Sequence, residues 1–286
     1  MNAVTLTATP ALAPLLARGA LCSPFKRPAP DAAVPRTRLL LPGVRVDLAR
    51  LAAYERVCGF PTGEPDLPVT YPHVLGFPLA MRLMSGRDFP LPLLGLVHTS
   101  IEIVSRGALP ADGEYELTAF VAGLAPHRRG TEATVVTGLR LGGDAVWESR
   151  STYLARHRTD AGPDAAVAER GGGGGGGGPL PVAAEWSIAE DVGRRYGAVS
   201  GDRNPIHLHP FTARLFGFPR AIAHGMWTVA RCLAAHGTGG PALVRAGFRA
   251  PVLLPGTVSY GTDGDGRFEL RNRDGRLHLS GEVRPR

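Results

Sequence analysis

The chain has 286 residues and a formal net charge of +7, which comes almost entirely from arginine, with Lys26 as its single lysine. No basic run is interleaved with aromatic residues, so the composition argues against a nucleic-acid partner. The cysteines, Cys22, Cys58 and Cys232, are far apart and form no CxxC pair, which argues against a disulfide framework or a zinc site and indicates a cytoplasmic location. No apolar run approaches the ~20 residues that span a bilayer, so no membrane segment is expected.

The first half of the chain predicts helices followed by strands. Residues 1–43, rich in proline, alanine and arginine, are expected to form an arm with a short helix over 12–21. Apolar periodicity predicts a helix from Val46, with Asp47 as its N-cap and Gly59 at its end. A buried helix is predicted over 77–85. Four strands separated by glycine-containing turns are then predicted as an antiparallel sheet, over residues 96–105, 115–124, 131–141 and 145–156.

A linker separates the two halves. Residues 159–181 contain eight consecutive glycines, which cannot form a core, and are predicted to be flexible. Beyond them, the S-x-x-E sequence at 187–190 predicts the start of a helix. Two further helices are predicted over 210–215 and 222–235. Four strands follow, over residues 242–249, 257–262, 267–271 and 276–284. The same order of elements in both halves indicates a duplicated unit, with repeats at 44–158 and 182–286.

The candidate catalytic residues lie in one stretch, residues 196–224. It places a carboxylate, Asp202, and an imidazole, His207, in a short segment interrupted by Gly201 and Pro205. A glycine and a proline this close stop a helix and set a turn. A mostly apolar helix is predicted to follow. Taken singly, such an aspartate is more often a turn residue and such a histidine a structural one; together they suggest an acid–base pair.

The same stretch resembles a known family. The sequence SGDRNPIH at 200–207, followed by GF at 217–218 and IAHGM at 222–226, resembles the hydratase 2 signature of MaoC-like (R)-specific enoyl-CoA hydratases and 3-hydroxyacyl-thioester dehydratases. In the first half, YPHVLGFPLAMRLM and PLPLLGLVH resemble the two-domain actinobacterial members. The resemblance implies an α+β double hotdog fold, in which each of two repeats has a central helix wrapped by a curved antiparallel sheet. The C-terminal repeat carries the motif, and the N-terminal repeat is expected to be non-catalytic.

The resemblance also assigns roles to site residues. It implies that Asp202 and His207 are catalytic and that the backbone N–H of Gly225 contacts the oxyanion. Ser200 and Asn204 are expected to support the site. The pattern does not say which of Asp202 and His207 transfers which proton. The chain departs from the family at His209, where an aspartate is usual, and the expected effect is on local packing.

The implied reaction is the reversible hydration of a trans-2-enoyl thioester to an (R)-3-hydroxyacyl thioester. The alternatives are a hotdog acyl-thioesterase and a non-catalytic acyl-thioester-binding subunit. The carrier is CoA or acyl carrier protein. The excess positive charge would attract the phosphate of that carrier, unless the basic residues are simply scattered over a solvated surface. The sequence leaves the carrier, acyl length, direction and oligomeric state open, with a homodimer as one assembly.

Neither a metal nor an organic cofactor is expected. The spacing of His209, His224 and His236 fits no zinc pattern, and no carboxylate or cysteine accompanies them in the sequence. His73 and His98 in the first half are expected to be structural. The first repeat is expected to complete a pseudo-dimer and to widen the acyl tunnel, with Met81, Leu83 and Met84 either lining it or packing in the core.

Overall fold

The structure, a computed structural model, describes residues 2–28, 32–158, 178–237 and 240–286. Within these ranges, eleven strands form one sheet in the order β1-β2-β4-β5-β6-β3-β8-β11-β10-β9-β7. The strands of the first half are β1 (Asn2–Thr5), β2 (Thr37–Arg45), β3 (Leu96–Ser105), β4 (Glu114–His127), β5 (Gly130–Leu141) and β6 (Asp144–Arg156). Those of the second half are β7 (Val182–Ile188), β8 (Ala242–Phe248), β9 (Gly256–Thr262), β10 (Arg267–Arg271) and β11 (Leu277–Pro285).

The helices lie between these strands in the chain. Those of the first half are α1 (Leu12–Cys22), α2 (Leu48–Cys58) and α3 (Tyr71–Met84); those of the second are α4 (Val192–Ser200), α5 (Pro205–Leu208), α6 (Pro210–Leu215) and α7 (Gly225–His236). The central helix of the first half, α3, packs against β4 and β5, and α7 contacts β10. No helix in the described part of the chain is long and apolar enough to cross a membrane.

The two halves have matching strand orders. The series β2-β4-β5-β6-β3 of the first half corresponds to β7-β9-β10-β11-β8 of the second, read inward from each edge of the sheet. The halves join where β3 pairs antiparallel with β8, from Ser100 opposite Gly247 to Ser105 opposite Ala242. The duplication predicted from the sequence is therefore seen as a pseudo-twofold arrangement. The exact domain boundaries stay predictions, and most of the expected linker lies outside the described residues.

Contacts between helices also join the halves. The Trp227 Nε1–H of α7 donates a 2.8 Å hydrogen bond to the Val57 carbonyl of α2. The Arg50 Nε–H of α2 donates a 2.6 Å hydrogen bond to the Val199 carbonyl of α4. Each such bond contributes about 1 kcal/mol to stability. Because both bonds link one half to the other, they help hold the C-terminal helices in place against the first half.

Helix α2 has the ends that the sequence predicts. Its N-cap Asp47 accepts hydrogen bonds from the N–H groups of Ala49 and Arg50, and Gly59 ends it in the left-handed region at φ +83°. Helix α3 begins at Tyr71, six residues before the predicted start. Pro72 occupies its first turn, where the absence of an N–H costs no intrahelical bond. The proline is therefore compatible with the first turn of the helix, which the prediction began only at residue 77.

Three elements of the sheet and its surroundings differ from the prediction. The S-x-x-E sequence at 187–190 is not a capping box, because Ser187 belongs to β7 and pairs with β9. Helix α4 begins instead at Val192, after Asp191. In the expected arm, β2 crosses the boundary set at residue 43 and pairs with β4. The prediction of a short helix over 12–21 is confirmed by α1.

Candidate active site

A series of local hydrogen bonds, each between residues two positions apart, shapes the loop after α4. Gly201 ends this helix in the left-handed region at φ +82°, which a glycine adopts without strain. The Ser200 Oγ accepts a 3.2 Å bond from the Asp202 N–H, and the Asp202 Oδ1 accepts a 3.1 Å bond from the Asn204 N–H. The Asn204 Oδ1 in turn accepts from the Ile206 N–H at 3.4 Å. Asn204 is the N-cap of α5, a helix that the sequence did not predict.

This loop brings the predicted acid and base together. Potential ligand atoms of Asp202, His207 and His224 all lie within 4.8 Å of one another. The hydrogen-bonded loop runs from Asp202 to the Asn204 cap, and His207 lies in the single turn of α5 that begins at Pro205. Asp202 is partly exposed, with 30% of its side-chain surface accessible, whereas both histidines are buried. The carboxylate can therefore exchange protons with bound water or substrate.

His207 has a defined tautomer. Its Nδ1 lies 2.8 Å from the Ile222 carbonyl, which can only accept a hydrogen bond, so the proton is on Nδ1. Nε2 is thus the nitrogen whose lone pair can take up a proton. Burial lowers the pKa of His207, while the Asp202 charge and the Ile222 carbonyl oppose that shift. The imidazole is therefore uncharged at neutral pH, with Nε2 available to accept a proton.

His224 stands directly behind His207. Their rings stack with centroids 3.7 Å apart, and the His224 Nε2–H donates a 2.8 Å bond to the Asp202 carbonyl. Burial, and then the neighbouring His207, hold the pKa of His224 well below its ordinary value. The sequence argument that no carboxylate accompanies His224 was wrong, because the Asp202 Oδ2 lies 3.9 Å from its Nε2. The position of His224 immediately before Gly225 was a signal that could have placed it at the site.

The three side chains are poorly arranged for a metal ion. One nitrogen of each histidine already faces a backbone carbonyl. The rings are also nearly parallel, at 26°, so their in-plane lone pairs run side by side and do not converge. His209 and His236 are elsewhere: His209 is exposed and caps α6, where its Nδ1 accepts from the Phe211 N–H, and His236 ends α7. The absence of a metal stays a prediction that this geometry favours.

Gly225 begins helix α7. Its N-cap, His224, makes no side-chain hydrogen bond to the first turn, and first-turn N–H groups have no intrahelical carbonyl partners. The positive end of the helix dipole adds to their attraction for negative charge. A Cβ at position 225 would lie 2.8 Å from the Phe248 ring. Packing against Phe248 thus requires a glycine, in addition to the close ligand approach expected from the sequence.

These groups open onto one cavity of about 1230 Å³, formed by both halves of the chain. Asp202, His207 and Gly225 line it together with arginines that include Arg203 and Arg249. Its apolar wall comes largely from the first half and includes Val74, Phe77, Met81, Met84 and Leu93. Met81 and Met84 thus line the cavity, whereas Leu83 is buried and does not. A chamber of this size and character suits a hydrocarbon chain.

Fold and site together define the class of protein. Residues 177–280 match the family profile described as "MaoC like domain", and the chain belongs to the MaoC-like dehydratase family. It is 36% identical over 257 residues to "3-hydroxyacyl-thioester dehydratase X" of Mycobacterium tuberculosis, covering 88% of this chain and 90% of that protein.

Solved structures agree with this placement. The crystal structure of HtdX from Mycobacterium tuberculosis superposes with a TM-score of 0.74 at 34% identity, over 87% of this chain and all of that one. A second Mycobacterium tuberculosis protein, described as having a double hotdog fold, superposes with a TM-score of 0.50 at 13% identity, over 85% of this chain and 92% of that one. The predicted α+β double hotdog is confirmed.

Proposed function

We propose that the chain is a hydro-lyase that interconverts a trans-2-enoyl thioester and an (R)-3-hydroxyacyl thioester. The observation that carries the proposal is the meeting of Asp202 and His207 beside the N-terminus of α7 in a single cavity. The dehydratase named among the relatives supports the reaction class. The (R) configuration follows from the family resemblance of the motif.

In hydration, the oxygen of water forms a bond to C3 as the water gives up a proton to one member of the Asp202–His207 pair. The C2 carbon takes up a proton, and negative charge develops transiently on the thioester oxygen in between. The Gly225 N–H and the dipole of α7 stabilise that charge, a contribution of roughly 10²–10³ in rate for one such donor. Dehydration follows the same steps in reverse, and the fixed His207 tautomer keeps Nε2 ready to exchange the proton.

An acyl thioester of CoA or of acyl carrier protein is the proposed substrate, with no organic cofactor. Arginines on the cavity wall, among them Arg129, Arg203 and Arg249, would attract a phosphate-bearing carrier. A cytoplasmic location is supported by three cysteines that are all free thiols. The homodimer stays a prediction.

Turnover of crotonyl-CoA tests the proposal. We expect loss of the enoyl absorbance without release of free thiol, and we expect Asp202→Asn and His207→Ala each to lower kcat by roughly 10²–10⁴. Asp263→Asn, in the distant β9–β10 turn, is the matched control and should behave like the parent. Thiol release would identify a thioesterase, and binding without turnover of any enoyl length on either carrier would identify a non-catalytic subunit. Parental activity in either site variant would overturn the site assignment.

A further inference from the structure

The first half contributes a buried imidazole to the wall of the cavity. His73, on α3, is 8% exposed and lines the same cavity as Asp202 and His207. Its ring stacks on that of His98, on β3, with centroids 6.0 Å apart. His98 in turn lies between Tyr153 and Phe248, with centroids 4.6 and 4.8 Å away. The reaction outlined above uses none of these groups.

The surroundings of His73 determine where its proton lies. Its Nδ1 is fully enclosed and has no hydrogen-bond partner among the described residues. An enclosed N–H without an acceptor is costlier than an enclosed lone pair, and orphaned N–H groups are correspondingly rare. The proton therefore belongs on Nε2, which is not among the enclosed, unpartnered atoms and which we take to be the nitrogen that faces the cavity lined by the ring. Burial lowers the pKa of His73 to about 4, so the ring is neutral and Nε2–H is a single, fixed donor.

The neighbours of His73 show which end of a substrate it would meet. The Asp202 carboxylate is the charged group that acts on the His73 ring and opposes the fall of its pKa. The contacts toward α7 run from the His73 ring to His98 and from His98 to Phe248, whose ring is the nearest neighbour of a Cβ at position 225. His73 thus shares the cavity with Asp202 and feels its charge, whereas its ring contacts reach the start of α7 only through two other rings.

We propose that His73 contacts the substrate, donating from Nε2 to the oxygen at C3, which is the attacking water in hydration and the departing hydroxyl in dehydration. The inference rests on the proposed function and deepens it. A donor to this oxygen stabilises the negative charge that it carries as the C3–O bond breaks. The effect appears in kcat, because the bond strengthens toward the transition state. The first repeat then supplies part of the reaction centre and is not catalytically silent.

Three substitutions distinguish the two nitrogens of His73. In His73→Gln the side-chain amide can place an N–H near the position of Nε2, in His73→Asn near that of Nδ1, and His73→Phe has no donor. We expect His73→Phe and His73→Asn to lower kcat about tenfold, the usual value of one hydrogen bond, with little change in KM. We expect His73→Gln to restore most of the loss. His236→Gln is the matched control, because His236 ends α7 and contacts the Phe268 ring but does not line the cavity.

The outcomes separate this inference from the reaction itself. If the parent shows no turnover, the proposed function fails. If the parent is active and all three His73 variants match it, the contact does not exist. If all three variants lose activity in proportion to a fall in Tm, His73 is structural. If His73→Asn recovers activity and His73→Gln does not, His73 acts through Nδ1. Either result overturns the inference.

Discussion

The His207 imidazole stacks on the His224 imidazole, with ring centroids 3.7 Å apart and an interplanar angle of 26°. Two imidazolium cations cannot share such a stack in a buried site, so the pair carries at most one positive charge. His224 meanwhile uses its Nε2–H to hold the Asp202 carbonyl. The His224 ring therefore packs its face against His207 and holds the Asp202 loop through the nitrogen at its edge.

Replacing His224 tests this double role. His224→Phe keeps an aromatic ring against His207 but leaves the Asp202 carbonyl without its donor. We expect a loss of about 1–3 kcal/mol in the free energy of unfolding and a fall in kcat as the loop loosens. His224→Gln, whose amide can donate to the carbonyl, should recover much of the stability. Urea unfolding and steady-state kinetics measure both effects, and equal stability of the Phe variant and the parent would contradict the role of the bond.

The pH dependence of activity follows from His207. Burial lowers its pKa below the ordinary 6.5, so the neutral base persists at neutral pH and is lost only on acidification. We expect kcat/KM to fall in an acid limb centred below 6.5. Asp202→Asn removes the charge that raises the pKa of His207, so the pKa should fall further. Titration of the His207 ring by NMR in the parent and in this variant checks the sign, and an upward shift would contradict it.

Gly225 can be tested through its contact with Phe248. In Gly225→Ala the new Cβ would stand 2.8 Å from the ring, so either Phe248 or the start of α7 must move. Although alanine favours helix, we expect kcat to fall at least tenfold and Tm to drop. Phe248→Leu combined with Gly225→Ala makes room for the methyl group and should regain part of both. If the double variant is no better than Gly225→Ala, steric contact with Phe248 is not the reason for the glycine.

Acid should destabilise the protein through its buried histidines. Burial lowers the pKa of His73 to about 4 and that of His98 to about 3, from 6.5. At a pH between 6.5 and the lowered pKa of each histidine, the unfolded chain binds a proton that the folded chain does not. The free energy of unfolding therefore decreases as the pH falls below 6.5. The slope is about 1.4 kcal/mol per pH unit for each histidine. Urea unfolding at pH values from 7 to 5 measures this slope. His98→Phe removes one of the two buried histidines and should reduce the slope by the contribution of that histidine.

Most regular elements could be predicted from local sequence. The strand from Leu96 to Ser105, the helix from Pro210 to Leu215 and the strand from Arg267 to Arg271 have the predicted bounds. Each has an apolar pattern flanked by its own turn residues. By contrast, Ser187 looks like a helix cap locally but is held in β7 by pairing with β9, a partner about seventy residues away. Local propensity could not reveal that tertiary pairing.

The residues of the site likewise divide into those that local sequence could identify and those that depend on tertiary contacts. Asp202, His207 and Gly225 lie within one contiguous motif, so the sequence could nominate them together. His73 and His98 are more than a hundred residues from Asp202, and tertiary contacts such as the pairing of β3 with β8 bring their half of the chain to the cavity. The importance of these ring nitrogens depends on how they are buried in the folded protein, which cannot be predicted from the spacing of residues in the sequence.

The continuous sheet across β3 and β8 has a consequence for how such a protein can diversify. Helices α2 and α4 both end at a left-handed glycine, but Phe60 follows the first and Asp202 follows the second. In a symmetric pair of identical chains, any substitution appears twice, so a residue that enlarges one chamber also alters the other. A covalently linked duplicate is free of that constraint. One half can then keep the carboxylate, here Asp202, while substitutions in the other half change the shape of the chamber for its substrate.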